Sequence, residues 1–356
     1  MKDLIANTMA GWNTLALERP YRAMEWCDLQ IMPAPFREGC QNMLDQQWSH
    51  KLPFLQPQSP AQLACERLDA IINEVALMDD TPLEVTDLCA GGGGPTPIFE
   101  RLINAKRFSR GQSPVDFVLG DLYPHINAWK EHAKKSDHLS YIAEPVDAAE
   151  APDKELATAD TSRRSSSAAG NQEASSRPTP ASPKRTFRLF NLSFHHFTDS
   201  QCKQVLRSTC STASGVAIIE LQDRRRGTLL LFALNFVLVL LLTPFWFSPF
   251  PRGPKTRHNV QQLLLTYSGI LPFILWWDGL ASCMRTREFD EVMQLAQQAL
   301  QSPTAPAVEA ITVAGTDGAR RCQLTSEWEF RAYRQMHTFP FGYLNMIVGV
   351  RVPPPY

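Results

Sequence analysis

One run, Leu83 to Pro95, constrains the fold of this chain more than any other segment. It reads LEVTDLCAGGGGP: an apolar stretch that predicts a buried strand, an acid at Asp87, and four consecutive glycines. Glycine adopts positive φ without strain and lets a ligand approach the backbone, because it has no Cβ. Pro95 fits the first turn of a following helix, whose free N–H groups and positive dipole end would face that ligand. The run predicts a cofactor loop, and a Gly-rich turn between any strand and helix is the alternative.

The spacing of the glycines argues against a dinucleotide site. A G-x-G-x-x-G fingerprint that begins at Gly91 needs glycine at position 96, where the chain has Thr96. The first acid also precedes the glycines, at Asp87. An oxidoreductase that binds a dinucleotide in this loop is therefore the weaker alternative.

The order acid-x-x-x-G-x-G resembles motif I of the class I methyltransferases that depend on S-adenosyl-L-methionine (SAM). The resemblance covers about Pro60 to Val352, and its most specific parts are DLCAGGGGP, GDLYP, PVDA and FHHF. It implies an α/β fold, namely a Rossmann-like seven-stranded methyltransferase sheet with helices on both faces, here with an inserted hydrophobic helical hairpin. It also implies SAM as the cofactor.

The resemblance assigns a cofactor site to the ends of the first strands. Asp121, after the strand Val115–Leu119, would bind the ribose hydroxyls, because a carboxylate accepts from two vicinal hydroxyls. Asp147 would lie near the adenine amino group, and a solvated loop aspartate is the alternative. The cofactor-binding residues implied are Asp87, Cys89, Ala90, Gly91, Gly92, Gly93, Asp121, Leu122, Asp147 and Asn191.

A histidine pair follows the predicted fourth strand, Phe187 to Leu192, whose end borders the methyl-transfer site in the family that the chain resembles. His195 or His196 is the candidate general base, because imidazole titrates near neutral pH. A ring that only packs, or that is held by a hydrogen bond, is the alternative. Further along, EWEFRAYRQM and YLNMIVGVRV flank HTFPFG and predict the antiparallel strands six and seven.

Composition narrows the classes of partner. The chain has 356 residues, 44% of them apolar, enough for one large α/β core with additions. Its net charge of -1 gives no general attraction to nucleic acid. Its eight cysteines occur singly, without a C-x-x-C pair, so we expect no metal site and no disulfide framework, and reduced thiols facing the cytosol.

Two segments interrupt the predicted core. Ala149 to Arg185 is rich in Ala, Ser, Thr, Pro and charge, so it cannot bury enough apolar surface to fold, and we predict a disordered insertion. Gly227 to Phe247 is 21 residues without a charge, long enough to cross a bilayer as a helix. A second apolar run, Leu263 to Trp277, is 15 residues and marginal for spanning.

Topology limits how these apolar runs can meet a membrane. Predicted strands lie before Gly227 and after Trp328 and must join one sheet, so the chain crosses zero or two times. Arginines and lysines flank every edge of the region, at 224–226, 252–257 and 285–287, which favours a monotopic hairpin with all three groups at cytosolic headgroups. A two-pass hairpin and a pair of buried core helices are the alternatives. A membrane-associated position facing the cytosol predicts a small hydrophobic or membrane-delivered acceptor.

The predicted organisation has six parts. They are an N-terminal helical cap (1–59), the first half of the SAM-binding domain (60–148), the insertion (149–185), strands four and five (186–223), the hydrophobic hairpin (224–286), and a C-terminal helix with strands six and seven (287–356). The final residues, Pro353 to Tyr356, resemble the P-P-x-Y ligand of WW domains and make such a domain a candidate partner. A non-catalytic membrane protein that keeps a SAM-binding fold is the main alternative to an enzyme.

The insertion yields a direct prediction. Replacing Ala149 to Arg185 with a short Gly/Ser linker should leave the thermal midpoint nearly unchanged, because no apolar contacts are lost. Differential scanning calorimetry of both chains measures this. A large drop in the midpoint of the shortened chain would show that the segment packs on the core.

Overall fold

The computed structural model describes residues 11–150, 184–248, 256–300, 312–314 and 318–352. Three sequence predictions lie outside these ranges. They are nearly all of the insertion from Ala149 to Arg185, the basic residues Arg252 and Lys255, and the C-terminal tetrapeptide.

The chain divides into two compact units. The first comprises Met1–Pro60, Glu220–Glu288 and Arg334–Asn345, and the second comprises Ala61–Ile219, Phe289–Tyr333 and Met346–Tyr356. The strands are β1 (Leu83–Asp87), β2 (Asp116–Leu119), β3 (Leu139–Tyr141), β4 (Arg185–Asn191), β5 (Gly215–Glu220), β6 (Thr312–Ala314), β7 (Arg320–Thr325), β8 (Trp328–Thr338) and β9 (Gly342–Arg351). The helices are α1 (Ala34–Ser49), α2 (Pro60–Ala76), α3 (Thr96–Ser109), α4 (Ile126–Ala133), α5 (Asp199–Thr212), α6 (Arg226–Trp246), α7 (Thr256–Tyr267), α8 (Ile270–Arg285) and α9 (Phe289–Leu300).

The described strands form one sheet in the order β3-β2-β1-β4-β5-β9-β8-β7-β6. Strands β1 to β5 are parallel to one another, in the 3-2-1-4-5 order of Rossmann-like sheets. The chain steps outward from β1 to β3 and in the opposite direction from β4 to β5. Right-handed crossovers therefore place α3 and α4 on one face of the sheet and α5 on the other. The predicted α/β, Rossmann-like fold with helices on both faces of the sheet is confirmed.

The far side of the sheet is larger than the sequence predicted. The predicted strands six and seven are present as β8 and β9, which are neighbours joined by residues 339–341. Two further strands, β6 and β7, extend the edge as antiparallel neighbours, so the sheet has nine strands within the described ranges, where seven were predicted. Strand β7 packs on the core through Cys322 and Leu324, which are buried, whereas the residues between and beside them point outward.

The core of the second unit leaves no room beside its central strands. Every residue of β1 is buried, as expected for a parallel strand covered on both faces. At Gly349 of β9, a Cβ would lie 2.6 Å from the Phe330 ring and 2.9 Å from Val216. Glycine at this position lets the aromatic ring and the two strands pack in contact.

The first unit is mainly helical, and α6 is its longest helix. Helices α6 and α8 run antiparallel. The Phe232 ring of α6 fills the space beside Gly279, near the end of α8, while Val239 shares an apolar cluster with Leu271 at its start. Helix α1 contributes Cys40 and Met43 to this cluster.

One described helix, Arg226–Trp246, has the length and apolar composition needed to cross a membrane. The segments His258–Tyr267 and Ile270–Arg285 meet the same criterion only when taken together, and they are bent by 75° at the break between them. The second apolar run of the sequence is therefore split. Gly269, with φ of +82°, ends the continuity of the helix, and α8 continues beyond Trp277 to Arg285.

The crowding at Gly349 yields a stability prediction. Gly349→Val should lower the free energy of unfolding by about 1–3 kcal/mol, because the new side chain must displace the Phe330 ring. Gly11→Val is the matched control, since a Cβ there meets nothing within 4 Å. Urea unfolding followed by circular dichroism compares the two, and equal midpoints would contradict the packing described for β9.

Candidate functional site

Asp87, Asp121 and Asn191 come together at one edge of the sheet. Asp87 ends β1 and Asn191 ends β4, and these strands are parallel neighbours. Asp121 lies just beyond the end of β2, the other neighbour of β1. Carboxyl ends of parallel strands share one edge, so the topology places three residues predicted from the sequence side by side, where open α/β sheets bind ligands.

The glycine loop between β1 and α3 needs glycine for its shape. Gly91, Gly93 and Gly94 have φ of +52°, +119° and +49°, a region that other residues avoid. A Cβ on Gly93 would lie 3.1 Å from the imidazole of His132, so a larger residue at this position would also crowd that ring. The Trp129 indole N–H donates to the Gly91 carbonyl at 2.9 Å and fixes the first turn. The loop geometry predicted from the sequence is present.

Asp87 is turned inward. Its carboxylate is buried and accepts from the Thr96 hydroxyl at 2.5 Å and from the Asn191 amide at 3.0 Å. Burial raises the pKa of Asp87 to about 7, and the two hydrogen bonds offset part of that rise. The side chain of Asp87 therefore links β1 to β4 and to the first residue of α3, and no sequence pattern indicated Thr96 as its partner.

Asp121 faces the loop. One carboxylate oxygen accepts from the Gly91 N–H at 2.9 Å, and the other accepts from the Tyr123 N–H at 2.8 Å. Burial raises the pKa of Asp121, while these backbone donors and the nearby His196 lower it in part. Each carboxylate oxygen has two lone-pair sites, so Asp121 keeps capacity to accept hydroxyl groups of a ligand.

Asn191 carries an unused acceptor at the same edge. Its amide nitrogen donates to Asp87 and to Thr96, whereas its carbonyl oxygen is buried without a partner among the described residues. A buried oxygen left unpaired costs free energy, so a ligand that donates a hydrogen bond to it binds more tightly. Together with the cradle of Gly91 and Gly93 and the capacity of Asp121, this acceptor fits a ligand rich in hydroxyl and amino groups.

The histidine pair lies in a 3₁₀ turn, Phe194–His196, that follows β4. The turn is preceded by Leu192 at φ of +47°, a strained conformation for a bulky residue. The two imidazole rings lie with centroids 4.2 Å apart and are tilted by 34° to each other; His195 is buried and His196 is half-buried. His196 lowers the pKa of Asp121 in part, so these two side chains interact electrostatically.

The other predicted residues line the loop or its margin. Ala90 and Gly92 are buried, and Cys89 is half-buried, with the pKa of its thiol raised by burial and by the carboxylates around it. Leu122 is exposed, and the adjacent Tyr123 is more exposed. Asp147 is exposed, and its carboxylate accepts from the Ala149 N–H at 2.8 Å and so caps a turn. The preceding residue, Val146, donates its N–H to the Asp121 carbonyl, which holds this turn next to the end of β2.

Solved structures resemble the whole chain weakly. A protein described as a Zn-dependent alcohol dehydrogenase from Rhodobacter sphaeroides matches with a TM-score of 0.35 and 11% identity, over 90% of this chain and 98% of that one. Coclaurine N-methyltransferase bound to N-methylheliamine and SAH matches with a TM-score of 0.36 and 10% identity, over 98% of this chain and 88% of that one. No protein-family model and no curated protein matches. Function therefore has to be argued from the site.

The buried acid at the centre of the site yields a pH prediction. The pKa of Asp87 is raised in the folded chain from 3.8 to about 7, so its contribution to stability is complete below about pH 4 and is lost as pH rises to about 7. Asp87→Asn keeps an acceptor for Thr96 and Asn191 but does not titrate. The free energy of unfolding of the native chain, relative to that of Asp87→Asn, should therefore fall between pH 4 and 7. Urea titrations at several pH values measure it, and a constant difference would contradict the raised pKa.

Proposed function

We propose that this chain is a SAM-dependent methyltransferase, with SAM held by the glycine loop and by Asp121. The hydrogen bond between the Asp121 carboxylate and the Gly91 N–H carries the proposal. It joins the acid after β2 to the first glycine of the loop, so a ligand whose hydroxyls bind the carboxylate also lies against a backbone without side chains. Rossmann-like sheets bind nucleoside ligands with this pairing of an acid and a Gly-rich turn.

The residues of the site divide into those that hold the loop and those that meet the ligand. Asp87, Thr96 and Trp129 hold the loop, because their hydrogen bonds run within the protein. Asp121 accepts the vicinal hydroxyls of a ribose, and the Asn191 carbonyl accepts an amino group. Bound SAM would supply a methyl group on a cationic sulfur, for which positioning provides much of the rate.

The histidine pair supplies a proton acceptor if the group to be methylated is a hydroxyl or an amine. His196 is the better placed of the two, because it is half-buried and lies close enough to Asp121 to affect that acid's pKa. His195 is buried against its neighbour's ring and positions it. Loss of a general base typically costs a factor of about 10²–10⁴ in rate.

The acceptor we propose is a small hydrophobic molecule or one delivered from a membrane, with the protein attached to the membrane on its cytosolic side. The apolar helix Arg226–Trp246 follows β5 in the chain, where additions that bind the acceptor occur in the family that the sequence resembles. The absence of a glycine at position 96, where the hydroxyl of Thr96 is committed to Asp87, weighs against a dinucleotide.

Calorimetric titration of the purified chain with SAM, S-adenosylhomocysteine and NAD tests the proposal. Asp121→Ala should weaken SAM binding by about 1–3 kcal/mol, the scale of a lost charge-assisted hydrogen bond. Asp137→Ala, which removes an exposed carboxylate from the same unit, is the control and should leave affinity unchanged. Unaltered SAM affinity in a folded Asp121→Ala chain, or tighter binding of NAD than of SAM, would contradict the assignment.

A further inference from the structure

Helix α6 has its polar side chains inside and its large apolar side chains outside. Thr228, Asn235 and Thr243 are buried; Asn235 accepts from Gln47 of α1 at 3.1 Å, and Thr243 donates to the Val239 carbonyl at 2.7 Å. The exposed apolar side chains are spaced as on one helix face, and their exposure rises from 37% at Leu230 to 81% at Phe245. That face consists of Leu230, Leu234, Val237, Leu241 and Phe245. A helix beside water shows the reverse pattern.

Helices α7 and α8 repeat the inversion. Gln262 of α7 is buried and donates to the Gly39 carbonyl of α1 at 2.9 Å, whereas Leu264 on the same helix is largely exposed. In α8, Phe273 is exposed, whereas Asp278 is buried and accepts from the N–H groups of residues 26 and 27. We call α6, α7 and α8 the inverted layer.

The outer face of the inverted layer suits hydrocarbon better than water or another protein. Protein interfaces mix apolar cores with a polar, hydrogen-bonding rim, whereas residues 227–247 contain no charge and turn their polar groups inward. Most of the exposed large apolar side chains of the described chain also belong to the first unit. The exposed Arg226 stands at the edge of this face, where a phosphate headgroup would complement its charge.

Helix α1 decides the orientation relative to a bilayer. It packs on the inner side of the layer, through Gln47 on Asn235, Gln262 on Gly39, and the stacked rings of His50 and Trp246. Its own outer face is polar, with Glu38 and Asn42 exposed. A helix that crossed the bilayer would carry this polar face into hydrocarbon, whereas a helix in the plane of one leaflet keeps it in water.

The charged end of α8 agrees with that orientation. Arg285 pairs with Glu25 at 3.0 Å and with Asp28 at 2.7 Å, and the Trp277 indole donates to the Met24 carbonyl at 2.8 Å. Arg224 is buried, and Arg225 pairs with Asp223 and Glu288. The sequence pattern predicted that these arginines bind lipid headgroups, but they are buried or form ion pairs within the first unit. Attachment to a membrane would therefore depend on apolar contact.

We propose that the inverted layer lies in the plane of one membrane leaflet, with its outer face among the acyl chains and α1 on the water side. The proposal deepens the membrane attachment given under the proposed function and depends on it. It states which surface enters the lipid, and it extends the predicted monotopic hairpin to three helices that lie along one face of the bilayer.

Flotation with vesicles of the zwitterionic lipid phosphatidylcholine tests the surface. The full chain should float, and high salt should not release it. Leu234→Lys with Leu241→Lys should lower the partition coefficient by about a hundredfold, because both ammonium groups would enter hydrocarbon. Leu77→Lys with Phe108→Lys, at two exposed apolar positions of the second unit, is the matched control and should float like the native chain.

A depth measurement tests the orientation. A genetically encoded fluorescent residue is placed at position 230, 237 or 245, and its quenching by lipids brominated at different depths is compared. An in-plane helix gives one depth at all three positions, whereas a spanning helix gives a deep centre with shallow ends and overturns the proposal. Flotation of the double-lysine layer variant overturns it as well, and so does a lipid-free native dimer that this variant dissociates.

SAM titration of the same variants separates this proposal from the proposed function. The layer variants should keep native SAM affinity, since no residue of the site is changed. A chain that floats as expected but binds no SAM contradicts the methyltransferase and leaves the lipid surface intact.

Discussion

The buried carboxylate of Asp87 holds the site together. It accepts hydrogen bonds from Thr96 at the start of α3 and from Asn191 at the end of β4, so one side chain fixes three elements that meet below the glycine loop. The loop positions Gly91, and Gly91 in turn donates to Asp121. The geometry at the sheet edge thus depends on a buried polar contact within the protein, and buried hydrogen bonds of this kind help to specify one arrangement.

Local patterns explain what the sequence could predict. The acid, four glycines and proline from Asp87 to Pro95 indicate a strand end, a loop with positive φ and a helix start, because each requirement falls on a few neighbouring residues. Asp121 and Asn191 could be placed beside this loop because parallel strands share one edge. The antiparallel hairpin of β8 and β9 was likewise visible as two β-rich runs around a turn.

Side-chain pairings between separate elements could not be predicted from the sequence. The partner of Asp87 at Thr96 and the pairing of Arg225 with Glu288 join residues whose proximity no local pattern encodes. Strands β6 and β7 were missed because they have only three and six residues, and strands this short carry little periodic signal. The inverted pattern of α6 could not be predicted either. Its apolar run is visible in the sequence, but the buried face is set by contacts such as the hydrogen bond from Gln47 of α1 to Asn235.

The place of β9 in the sheet has a consequence for biogenesis. Strand β9 lies between β5 and β8, yet it follows α6, α7 and α8 in the chain. Until β9 has been synthesised, the outer edge of β5 has no partner. The nascent chain therefore presents an open strand edge and a long apolar helix at the same time. Exposed apolar surface and an unpaired strand edge both favour aggregation, so the order of synthesis ties completion of the sheet to the fate of the apolar segment.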